Sequence, residues 1–370
     1  MANPEDPRVL HIDTESGWRG GQQQVFWLTE GLARRGVPQR IACPEGSPLA
    51  ERLADAGVAV ARLKHRRAWD PRAVFALRRE AEQFGASIVH AHAGNAHSLA
   101  VAAFRGRLPV VTTRRVDFRI QSNLFSRRKY TTPGQTFIAI STAIARILEE
   151  GGVPPERIRL VPSGIDSARV AGGDRAKLRA EFLGGRSGPL VGYIGAFADH
   201  KDLPTLLRAV PFAVAADLGG LRVALVGSGP GEHLLRSQAA ALPQPDRIHF
   251  AGWREDVADC LAAFDLFCVS SKEEGLCTSL LDAQAAGVPC AITAAGGMID
   301  IVQDGVNGLV SPVGDAAALA ASWVRLAGDP ALAARCAEAG RRVVADRFTK
   351  DAMVEGNLAV YRETLAAARR

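Results

Sequence analysis

The sequence predicts an α/β protein with two doubly wound, Rossmann-like domains, and three observations support this fold class. The chain has 370 residues, which is long for one domain and comfortable for two. Short apolar runs alternate with helix-forming segments over residues 8–162 and again from residue 190. Between these halves, Gly172 and Gly173 open a charged stretch, so we expect a linker near residues 168–187.

Composition describes a soluble globular protein, with 47% hydrophobic residues and a mean hydropathy of +0.02. No apolar segment reaches the length of a membrane span, and the first ten residues lack the apolar core of a secretory signal. The six cysteines include no C-x-x-C pair, so neither a zinc site nor a redox motif is indicated. They fit free thiols in a reducing compartment, and the expected location is the cytoplasm.

Positive charge is concentrated in the first half of the chain. Residues 1–170 contain 25 Lys or Arg against 16 Asp or Glu, a net charge of +9, whereas residues 171–370 have a net charge of −3. This asymmetry indicates an anionic partner, such as a phospholipid surface, a phosphorylated glycan or a nucleic acid. A solvated surface in an arginine-rich protein would give the same numbers.

The first half opens with a buried strand, a glycine-rich loop and a helix. Arg8–Asp13 is the strand, the loop contains Gly20 and Gly21, and the helix is expected over Gln22–Arg34. Glycines at this place let a ligand approach the backbone, although a purely structural turn fits equally well. Further strands are predicted at Gln39–Cys43, Val58–Arg62, Ser87–Ala91, Pro109–Thr113, Phe137–Ile140 and Arg159–Pro162, and further helices at Pro48–Ala56, Pro71–Phe84 and Ser141–Glu150.

The strand Ser87–Ala91 brings two histidines to its carboxyl end, and we expect only one of them to face a ligand. Ligands of open α/β sheets bind beyond the carboxyl ends of the strands. His92 is therefore the functional candidate, and His90 is expected to pack in the interior. Asn95 and His97, at the start of the next helix, are candidate contacts to an acceptor.

Basic residues follow the next strand of the first half. Arg114 and Arg115 could bind a phosphate or a carboxylate through their planar guanidinium groups, although a salt bridge to Asp117 would explain one of them. Residues 120–132 (IQSNLFSRRKYTT) interleave three basic residues with Leu, Phe and Tyr. That pattern suits contact with a membrane surface, and it equally suits the solvated face of an ordinary helix.

The second half repeats the alternation of strands and helices. Its predicted strands are Leu190–Ile194, Arg222–Val226, Ile248–Phe250, Ala263–Ser270, Cys290–Thr293 and Gly308–Val310. Its predicted helices are Leu203–Ala216, Glu232–Ala241, one that ends near Ala286, two that begin near Asp315 and Ala331, and Lys350–Ala368.

The turn after the fourth of these strands is the most informative stretch of the chain. Glu274 and Gly275 lie in the turn, and Thr278 or Ser279 can cap the helix that follows. The unpaired amides at such a helix start form a ready site for a phosphate. With Asp282 inside the helix, one carboxylate could lie by a sugar and the other by a ribose. An ordinary strand–turn–helix with surface acids is the alternative.

This stretch resembles the E-x7-E motif of retaining glycosyltransferases of family 4, which have the GT-B fold. The family motif reads S-x-x-E-G-x-x-x-x-x-L-E-A-x-A-x-G. The matching residues here are Ser271, Glu274, Gly275, Leu281, Asp282, Ala283, Ala285 and Gly287, with Asp282 in place of the second glutamate.

The resemblance extends over nearly the whole chain and is strongest over residues 190–315. It implies two Rossmann-like domains that face each other across a deep cleft. Residues 1–170 would form the acceptor domain and residues 171–346 the donor domain. Residues 347–370 would form a helix that crosses back to the first domain.

The resemblance also implies the roles of single residues. Three are expected to be catalytic: His92 contacts the transferred sugar or the reaction centre, Lys201 holds the donor diphosphate, and Glu274 orients sugar hydroxyls. The family pattern G-R-x-x-x-x-K-G is altered here, because Ala196 replaces the arginine and Asp202 the second glycine. Helix-start amides or the arginine pair of the first half could compensate. The expected donor-binding residues are Gly20, Gly21, Ala196, Gly252, Trp253, Arg254, Gly275, Leu276, Cys277, Thr278 and Asp282.

The implied reaction moves a sugar from a UDP- or GDP-linked donor to a glycan or lipid-linked acceptor with retention, in bacterial lipopolysaccharide or cell-surface polysaccharide synthesis. No cluster of metal ligands is visible in the sequence, so we expect no metal and no other cofactor. The expected partners are the donor, the acceptor and the inner face of an anionic membrane, without nucleic acid. A sugar-nucleotide-binding protein without turnover and a sugar-nucleotide epimerase are the alternatives.

Overall fold

The computed structural model describes residues 7–64, 69–121 and 123–369, and the chain divides into two compact units. Unit 1 consists of residues 1–164 and 350–370, and unit 2 of residues 165–349. The first six residues, which entered the argument about a secretory signal, lie outside the described part of the chain.

The described part of unit 1 is a parallel seven-stranded sheet with helices on both faces. Its strands are β1 (Val9–Ile12), β2 (Gln39–Cys43), β3 (Val60–Arg62), β4 (Ile88–Ala91), β5 (Val110–Arg114), β6 (Gln135–Ala139) and β7 (Ile158–Leu160). Its helices are α1 (Gly20–Arg34), α2 (Pro48–Asp55), α3 (Pro71–Phe84), α4 (Gly94–Phe104), α5 (Leu124–Thr131), α6 (Thr142–Glu150) and the last helix of the chain, α14 (Lys350–Ala368). The strand order is β3-β2-β1-β4-β5-β6-β7. The direction of winding therefore switches between β1 and β4, where ligands of such sheets bind.

The bounds of these helices follow from local chemistry. Helices α2 and α3 begin where Ser47 and Asp70 accept hydrogen bonds from the backbone two or three residues ahead, and each has a proline in its first turn. Helix α3 ends at Gly85, which adopts the left-handed conformation with φ of +66°. Both helices lie at their predicted positions.

Helices α1 and α14 cover one face of the unit 1 sheet. Val9 on β1, Leu28 on α1 and Val354 on α14 belong to one buried cluster. A Cβ atom at Gly31 would lie 2.5 Å from the Val354 side chain, so glycine allows α1 and α14 to approach each other. Because side chains alternate along a strand, His11 lies on the same face as Val9.

The described part of unit 2 has a parallel six-stranded sheet. Its strands are β8 (Leu190–Ile194), β9 (Arg222–Val226), β10 (Ile248–Gly252), β11 (Leu266–Val269), β12 (Cys290–Thr293) and β13 (Leu309–Ser311). Its helices are α7 (Arg175–Leu183), α8 (Leu203–Ala215), α9 (Glu232–Ala240), α10 (Val257–Ala263), α11 (Thr278–Ala286), α12 (Ala316–Gly328) and α13 (Pro330–Arg347). The order β10-β9-β8-β11-β12-β13 places the switch point between β8 and β11.

The stretch 168–187, where we expected the domain boundary, contains α7 and lies within unit 2, which begins at residue 165. Phe182 is fully buried and stacks on Phe264. The charges that suggested a linker are paired within the unit: Lys177 binds Asp259, and two arginines of α7 bind Asp265.

Two predicted features concern the whole described chain. The six cysteines are free thiols, and all of them are buried. Within the described residues, no helix combines the length and the apolar character needed to cross a lipid bilayer.

Candidate active site

The loops after β8 and β11 bring two opposite charges together at the switch point of the unit 2 sheet. Lys201 follows β8 and Glu274 follows β11, and the Lys201 ammonium donates a hydrogen bond to Oε2 of Glu274. Their side chains are only 16% and 11% exposed, so water screens this pair weakly. The structure thus joins two of the three residues predicted to be catalytic.

Backbone contacts hold the two loops in place around this ion pair. The Lys272 amide donates to the His200 carbonyl at 2.9 Å, and the Ser270 hydroxyl donates to the Lys201 carbonyl at 3.0 Å. Behind the turn, the Gly297 amide donates to the Glu274 carbonyl at 2.8 Å. Gly296 has φ of +50°, and a Cβ there would lie 1.9 Å from that carbonyl oxygen, so only glycine fits.

The start of helix α11 lies directly beyond this pair. The residue at the N-cap is Cys277, so the prediction that Thr278 or Ser279 caps the helix is wrong. No side chain caps this end and its first turn has no acidic residue, which leaves the first amides available to an anion. Gly275, Leu276 and Cys277 are buried, so a ligand would meet their backbone rather than their side chains.

Asp282 lies in the second turn of α11 and is 6% exposed. Its Oδ2 accepts a hydrogen bond from Nη2 of Arg169 at 2.6 Å, and its Oδ1 is buried without a hydrogen-bond partner among the described residues. Burial raises the pKa of the Asp282 carboxyl, and the Arg169 charge acts against this rise. Oδ1 is the oxygen left for a ligand.

The two departures from the family pattern after β8 have different structural meanings. Ala196 is exposed and supplies no cation to this site. Asp202 adopts the left-handed conformation, with φ of +43°, which explains why the family pattern has glycine here. Its short carboxylate stabilises that turn by accepting a hydrogen bond from the Thr205 hydroxyl at 2.6 Å.

The end of β10 and the residues that follow it offer accessible backbone to the candidate site, but no free cation. Gly252 has φ of +68°, and the Trp253 side chain is 69% exposed. The Arg254 guanidinium forms a bidentate pair with Asp256, both bonds at 2.8 Å, and a further bond to Glu181 at 3.2 Å. These carboxylates raise the pKa of Arg254 and occupy its donors.

Three histidines share one face of the unit 1 sheet near its switch point. The register pairs His11 on β1 with His90 on β4, and His92 lies two residues beyond His90. Residues two apart on a strand point the same way, so the prediction that only one of His90 and His92 faces the ligand side is wrong. The ring centroids of His90 and His92 are 4.0 Å apart, and those of His11 and His92 are 5.2 Å apart.

The three histidine rings differ in how many of their nitrogens form hydrogen bonds. His90 uses both nitrogens, Nδ1 with the Tyr361 hydroxyl at 2.6 Å and Nε2 with the Thr113 hydroxyl at 2.7 Å, as expected for a packed residue. Nε2 of His92 bonds to Nδ1 of His11 at 3.0 Å, and Nδ1 of His92 has no hydrogen-bond partner among the described residues. Burial lowers the pKa of all three histidines, that of His11 to about 3, so the rings are neutral.

The same three histidines are the residues that could hold a metal ion. One ring nitrogen from each lies within 4.8 Å of the others. Both nitrogens of His90 are engaged by hydroxyls, and His11 and His92 are bonded to each other. Hydrogen bonds thus engage four of the six ring nitrogens, whereas Nε2 of His11 and Nδ1 of His92 have no hydrogen-bond partner among the described residues. The expectation that no metal is required stays a prediction.

Two predicted acceptor contacts on α4 differ in exposure. Asn95 is exposed in the first turn of the helix. His97 is 1% exposed, its Nε2 bonds to Oε1 of Gln135 at 2.7 Å, and its ring packs against Tyr130 and Phe137. The prediction that His97 lines a binding surface is therefore wrong, because its apolar neighbours hold it in the interior.

The two arginines of the predicted pair, Arg114 and Arg115, have different contacts. Arg114 donates to the Tyr130 hydroxyl at 2.6 Å and to the Phe118 carbonyl, so its side chain holds the chain after β5 and is not open to a ligand. Arg115 donates to the His92 carbonyl at 3.3 Å, and its Nε is buried without a hydrogen-bond partner among the described residues. Burial lowers the pKa of Arg115 to about 10, and the acid that opposes this is Asp13, not the predicted Asp117.

Gly20 and Gly21 are the first residues of α1, whose N-cap, Arg19, makes no side-chain capping bond. A Cβ at either glycine would meet no protein atom within 4 Å, so packing within the protein does not require glycine there. At the end of β1, Asp13 is fully buried and accepts hydrogen bonds from the Glu15 amide and the Gln22 side chain.

His11, Asp13 and Arg169 are site residues that sequence reasoning missed. His11 lies in β1 and Asp13 directly follows it, and the polar residues of H-I-D interrupt an apolar run and so mark the carboxyl end of that strand. Arg169 and Asp282 are 113 residues apart in the sequence, so no local sequence pattern predicts their contact.

Two family models match this chain. The model for glycosyltransferase family 4 matches residues 18–169, and the model for glycosyl transferases group 1 matches residues 188–329. The first range covers most of unit 1 and the first five residues of unit 2, and the second range lies within unit 2.

Two curated relatives share part of the sequence. The lipopolysaccharide core biosynthesis glycosyltransferase LpsE of Rhizobium meliloti is 33% identical over 201 residues, which are 54% of this chain and 56% of that relative. N-acetyl-alpha-D-glucosaminyl L-malate synthase of Bacillus anthracis is 28% identical over 227 residues, which are 61% of this chain and 59% of that relative. The matched part spans less than two thirds of either relative's own length.

A solved structure shares the fold over nearly the whole chain. HepE of Anabaena in complex with UDP aligns with a TM-score of 0.83 at 20% identity and covers 97% of this chain and 100% of that one. The same protein with UDP-glucose aligns with a TM-score of 0.80 at 20% identity, over 97% and 99% of the two chains. The predicted GT-B fold, with its two parallel α/β sheets, is confirmed.

Proposed function

The chain belongs to the family 4 glycosyltransferases, also called glycosyl transferases group 1, and on that premise we propose that it transfers a sugar from a nucleoside-diphosphate donor to an anionic glycan or lipid-linked acceptor. The reaction retains the anomeric configuration. The observation that carries the proposal is the Lys201–Glu274 pair at the uncapped start of α11, because it combines a cation, an acid and free amides in one unit. That combination suits a sugar diphosphate.

In this mechanism the ion pair opens when the donor binds. Lys201 turns from Glu274 to the diphosphate, whose negative charge the first amides of α11 share. The Glu274 carboxylate then accepts hydrogen bonds from sugar hydroxyls. These contacts strengthen as negative charge grows on the leaving diphosphate, so they lower the free energy of the transition state.

Retention is proposed to occur on one face of the sugar. The bond from the anomeric carbon to the diphosphate oxygen breaks, and the acceptor oxygen forms its bond on the same face. The acceptor proton passes to the departing diphosphate, so no enzyme carboxylate forms a covalent bond to the sugar. Lys201 and the amides of α11 neutralise the diphosphate without a metal ion in this scheme.

The nucleoside is proposed to bind along the segment after β10 and beside α11. The left-handed turn at Gly252 and the exposed Trp253 leave backbone accessible to a base. Asp282 would meet the ribose through Oδ1, while Arg169 binds Oδ2 and its charge opposes protonation of the carboxylate. Gly20 and Gly21, where packing demands no side chain, are proposed to let a ligand approach the backbone at the start of α1.

The acceptor is proposed to bind unit 1 and to be presented at an anionic membrane. On α5, Leu124 and Phe125 are 76% and 83% exposed, and Arg127 and Arg128 are exposed beside them. Apolar and basic side chains together favour a surface of anionic lipid. Lys129 differs from its neighbours, because its ammonium donates to the Gly94 carbonyl at 2.8 Å and burial lowers its pKa to about 8.

A panel of UDP-, GDP- and ADP-sugars in a thermal-shift screen tests the donor class, because a ligand at about 100 times its Kd stabilises the folded state by about 2.7 kcal/mol. We expect one nucleotide series to raise the melting temperature, and transfer to a lipopolysaccharide-type acceptor to follow with the same donor. No shift with any member would contradict the proposal. Binding without transfer or hydrolysis would favour a binding protein, and conversion of the free donor sugar without acceptor would favour an epimerase.

A further inference from the structure

A groove on the surface of unit 1 is lined by residues of α3, α4 and α5 and by residues beside these helices. Its apolar members include Trp69, Ala102 and Phe125, and we name it the α3–α5 groove. We propose that this groove binds one acyl chain of an anionic lipid and that Arg105 and Arg128 hold the lipid phosphate. The inference rests on the membrane contact proposed for α5 and adds a specific lipid site to it.

The small side chain of Ala102 on α4 leaves space for this groove. Ala102 is half-buried and lines both the α3–α5 groove and a cavity of about 420 Å³ beside it, which Phe75 also lines. Trp69 and Phe75 are 55% and 71% exposed, so their rings border the space without filling it. The groove volume of about 720 Å³ lies within the range of small-ligand sites, and an apolar ligand would remove these rings from water.

The other polar side chains of the groove are already used inside unit 1. Arg78 donates through Nε to the Ala103 carbonyl at 2.8 Å, and the Lys129 ammonium donates to a carbonyl of α4 at 2.8 Å. The Thr132 hydroxyl donates to a carbonyl one turn earlier at 2.7 Å. A bound peptide would find few partners here for its N–H and C=O groups, which cost free energy when they are buried unpaired. An acyl chain needs no such partners.

Two cations of the groove are left for a ligand. Arg105 and Arg128 are exposed, and neither guanidinium has a hydrogen-bond or ion-pair partner in the part of the chain that the structure describes. No carboxylate is among the described residues that line the groove. A guanidinium group can bind a phosphate through two parallel hydrogen bonds. The groove therefore combines apolar surface with uncompensated positive charge, which complements a lipid with an anionic headgroup.

A groove of about 570 Å³ in unit 2 provides a comparison. It is also lined by two arginines, Arg175 and Arg179, and by small residues such as Ala333. Asp265 lies in the same groove and forms salt bridges with both arginines. Because the charge of this groove is compensated, we expect it to bind no anionic lipid. The two grooves thus differ in the pairing of their arginines.

A second copy of the chain is another possible occupant of an apolar groove. In a dimer with two-fold symmetry, the same surface of both copies forms the interface. Arg105 and Arg128 of one copy would then lie close to the same arginines of the other, and like charges placed together at an interface are unfavourable. The charge of the groove therefore favours an anionic lipid over self-association.

The first test is calorimetric titration of the full chain with dodecyl phosphate below its critical micelle concentration. We expect one dodecyl phosphate to bind per chain. Inorganic phosphate and the neutral dodecyl maltoside should each bind at least about tenfold more weakly, because each lacks either the chain or the charge. Equal binding of dodecyl maltoside would overturn the role of the arginines, and equal binding of inorganic phosphate would overturn the role of the apolar groove.

Ala102→Phe fills the groove without changing its charge. We expect it to weaken the binding of dodecyl phosphate at least about tenfold, the effect of removing about two methylene groups from contact. Ala333→Phe in the unit 2 groove is the matched control and should bind as the wild type does. Arg105→Gln combined with Arg128→Gln should abolish the preference for dodecyl phosphate over dodecyl maltoside. Undiminished binding in Ala102→Phe would overturn the proposal, and Ala102→Leu replaces this variant if it does not fold.

Vesicles of phosphatidylglycerol with brominated acyl chains test whether a bilayer lipid enters the groove, because bromine quenches the fluorescence of a tryptophan that it contacts. The measurement uses Trp253→Phe as the background, since Trp253 is also exposed. We expect strong quenching in this background and loss of most of it when Trp69→Phe is added. Undiminished quenching after Trp69→Phe would overturn the proposal.

These measurements separate the lipid site from the rest of the proposed function. Vesicle association without quenching of Trp69 would overturn the lipid site and leave the membrane contact of α5. Quenching without sugar transfer would support the lipid site and contradict the proposed function. A dimer in solution that Ala102→Phe dissociates would overturn the proposal in favour of a second copy of the chain.

Discussion

The two sheets carry opposite kinds of chemistry at equivalent places. At the switch point of unit 2, the loops after β8 and β11 bring together a lysine and a glutamate. At the switch point of unit 1, β1 and β4 bring together three neutral histidines. Fully buried charges are costly unless paired, whereas neutral imidazoles need only hydrogen bonds. We therefore expect unit 2 to bind a charged ligand and unit 1 to bind hydroxyl groups.

The largest expected effect is on the charged pair. We expect Lys201→Ala and Glu274→Ala each to lower kcat/KM at least about 100-fold, some 2.7 kcal/mol of transition-state stabilisation. Lys272→Ala is the matched control, because Lys272 lies in the same loop region but pairs with the exposed Asp199 at 2.6 Å. Steady-state kinetics with purified, folded variants measure this. A loss in Lys272→Ala as large as in Lys201→Ala would remove the distinction between the two lysines.

The neutral histidines predict a pH dependence that is larger in unit 1, with four such residues, than in unit 2, where burial lowers the pKa of His249 alone among the described residues. Burial lowers the pKa of His11, His90, His92 and His97 below the value near 6.5 of the unfolded chain. The unfolded chain therefore binds more protons as the pH falls below about 6.5, and folding stability is lost in that direction. Each histidine contributes a loss of up to about 1.4 kcal/mol per pH unit.

Hydrogen exchange at pH 7.5 and pH 5.5, corrected for intrinsic rates, measures this difference. We expect strands β1 and β4 to lose protection on acidification far more than β8 and β11, because three buried histidines lie at β1 and β4, whereas the histidines of unit 2 are exposed or, at His249 on β10, only partly buried. Equal losses in both sheets, or none in β1, would contradict the assignment of neutral rings.

A smaller effect is expected at Asp282. Because Arg169 already holds Oδ2, we expect Asp282→Asn chiefly to raise the KM for the donor, by about tenfold, the equivalent of one hydrogen bond. Asp282→Glu should retain the charge and be tolerated. Initial rates over a range of donor concentrations give both constants. A fall in kcat with an unchanged KM would show that Asp282 does not act on the donor nucleoside.

The smallest effect concerns the exposed face of α5. We expect Arg127→Ala combined with Arg128→Ala to weaken binding to anionic vesicles without changing donor binding, and the binding to fall with salt because exposed charges are screened within about 10 Å at 0.1 M. Arg341→Ala with Arg342→Ala removes the same charge from α13 of unit 2 and is the control. Vesicle sedimentation measures this, and equal binding to neutral and anionic vesicles would contradict the membrane proposal.

Local patterns were enough to predict the fold and much of unit 2. Alternating apolar runs predicted the strands of both sheets, and the predicted starts of α2 and α3 agree with the caps that Ser47 and Asp70 form. Glu274 and Lys201 were singled out by their motifs, and the structure pairs them. These predictions depend on neighbours within a few residues in sequence or on a whole matching motif.

Long-range partners account for the failures. The charges of α7 suggested a linker because Asp259 and Asp265, which neutralise them, lie more than 80 residues away. His97 suggested a surface residue because Gln135 and the aromatic rings around it come from other elements. Amino-acid composition and motif spacing do not predict such long-range contacts.

The central claim is that Lys201 leaves Glu274 to bind the donor diphosphate. Calorimetric titration with the nucleoside diphosphate of the series that the thermal-shift screen selects tests this most directly, because the ligand lacks the sugar that Glu274 would contact. We predict that Lys201→Ala weakens binding by about 100-fold, about 2.7 kcal/mol, while Glu274→Gln binds at least as tightly as the wild type, since its lysine is released. Equal weakening in both variants, or undiminished binding in Lys201→Ala, would contradict the account.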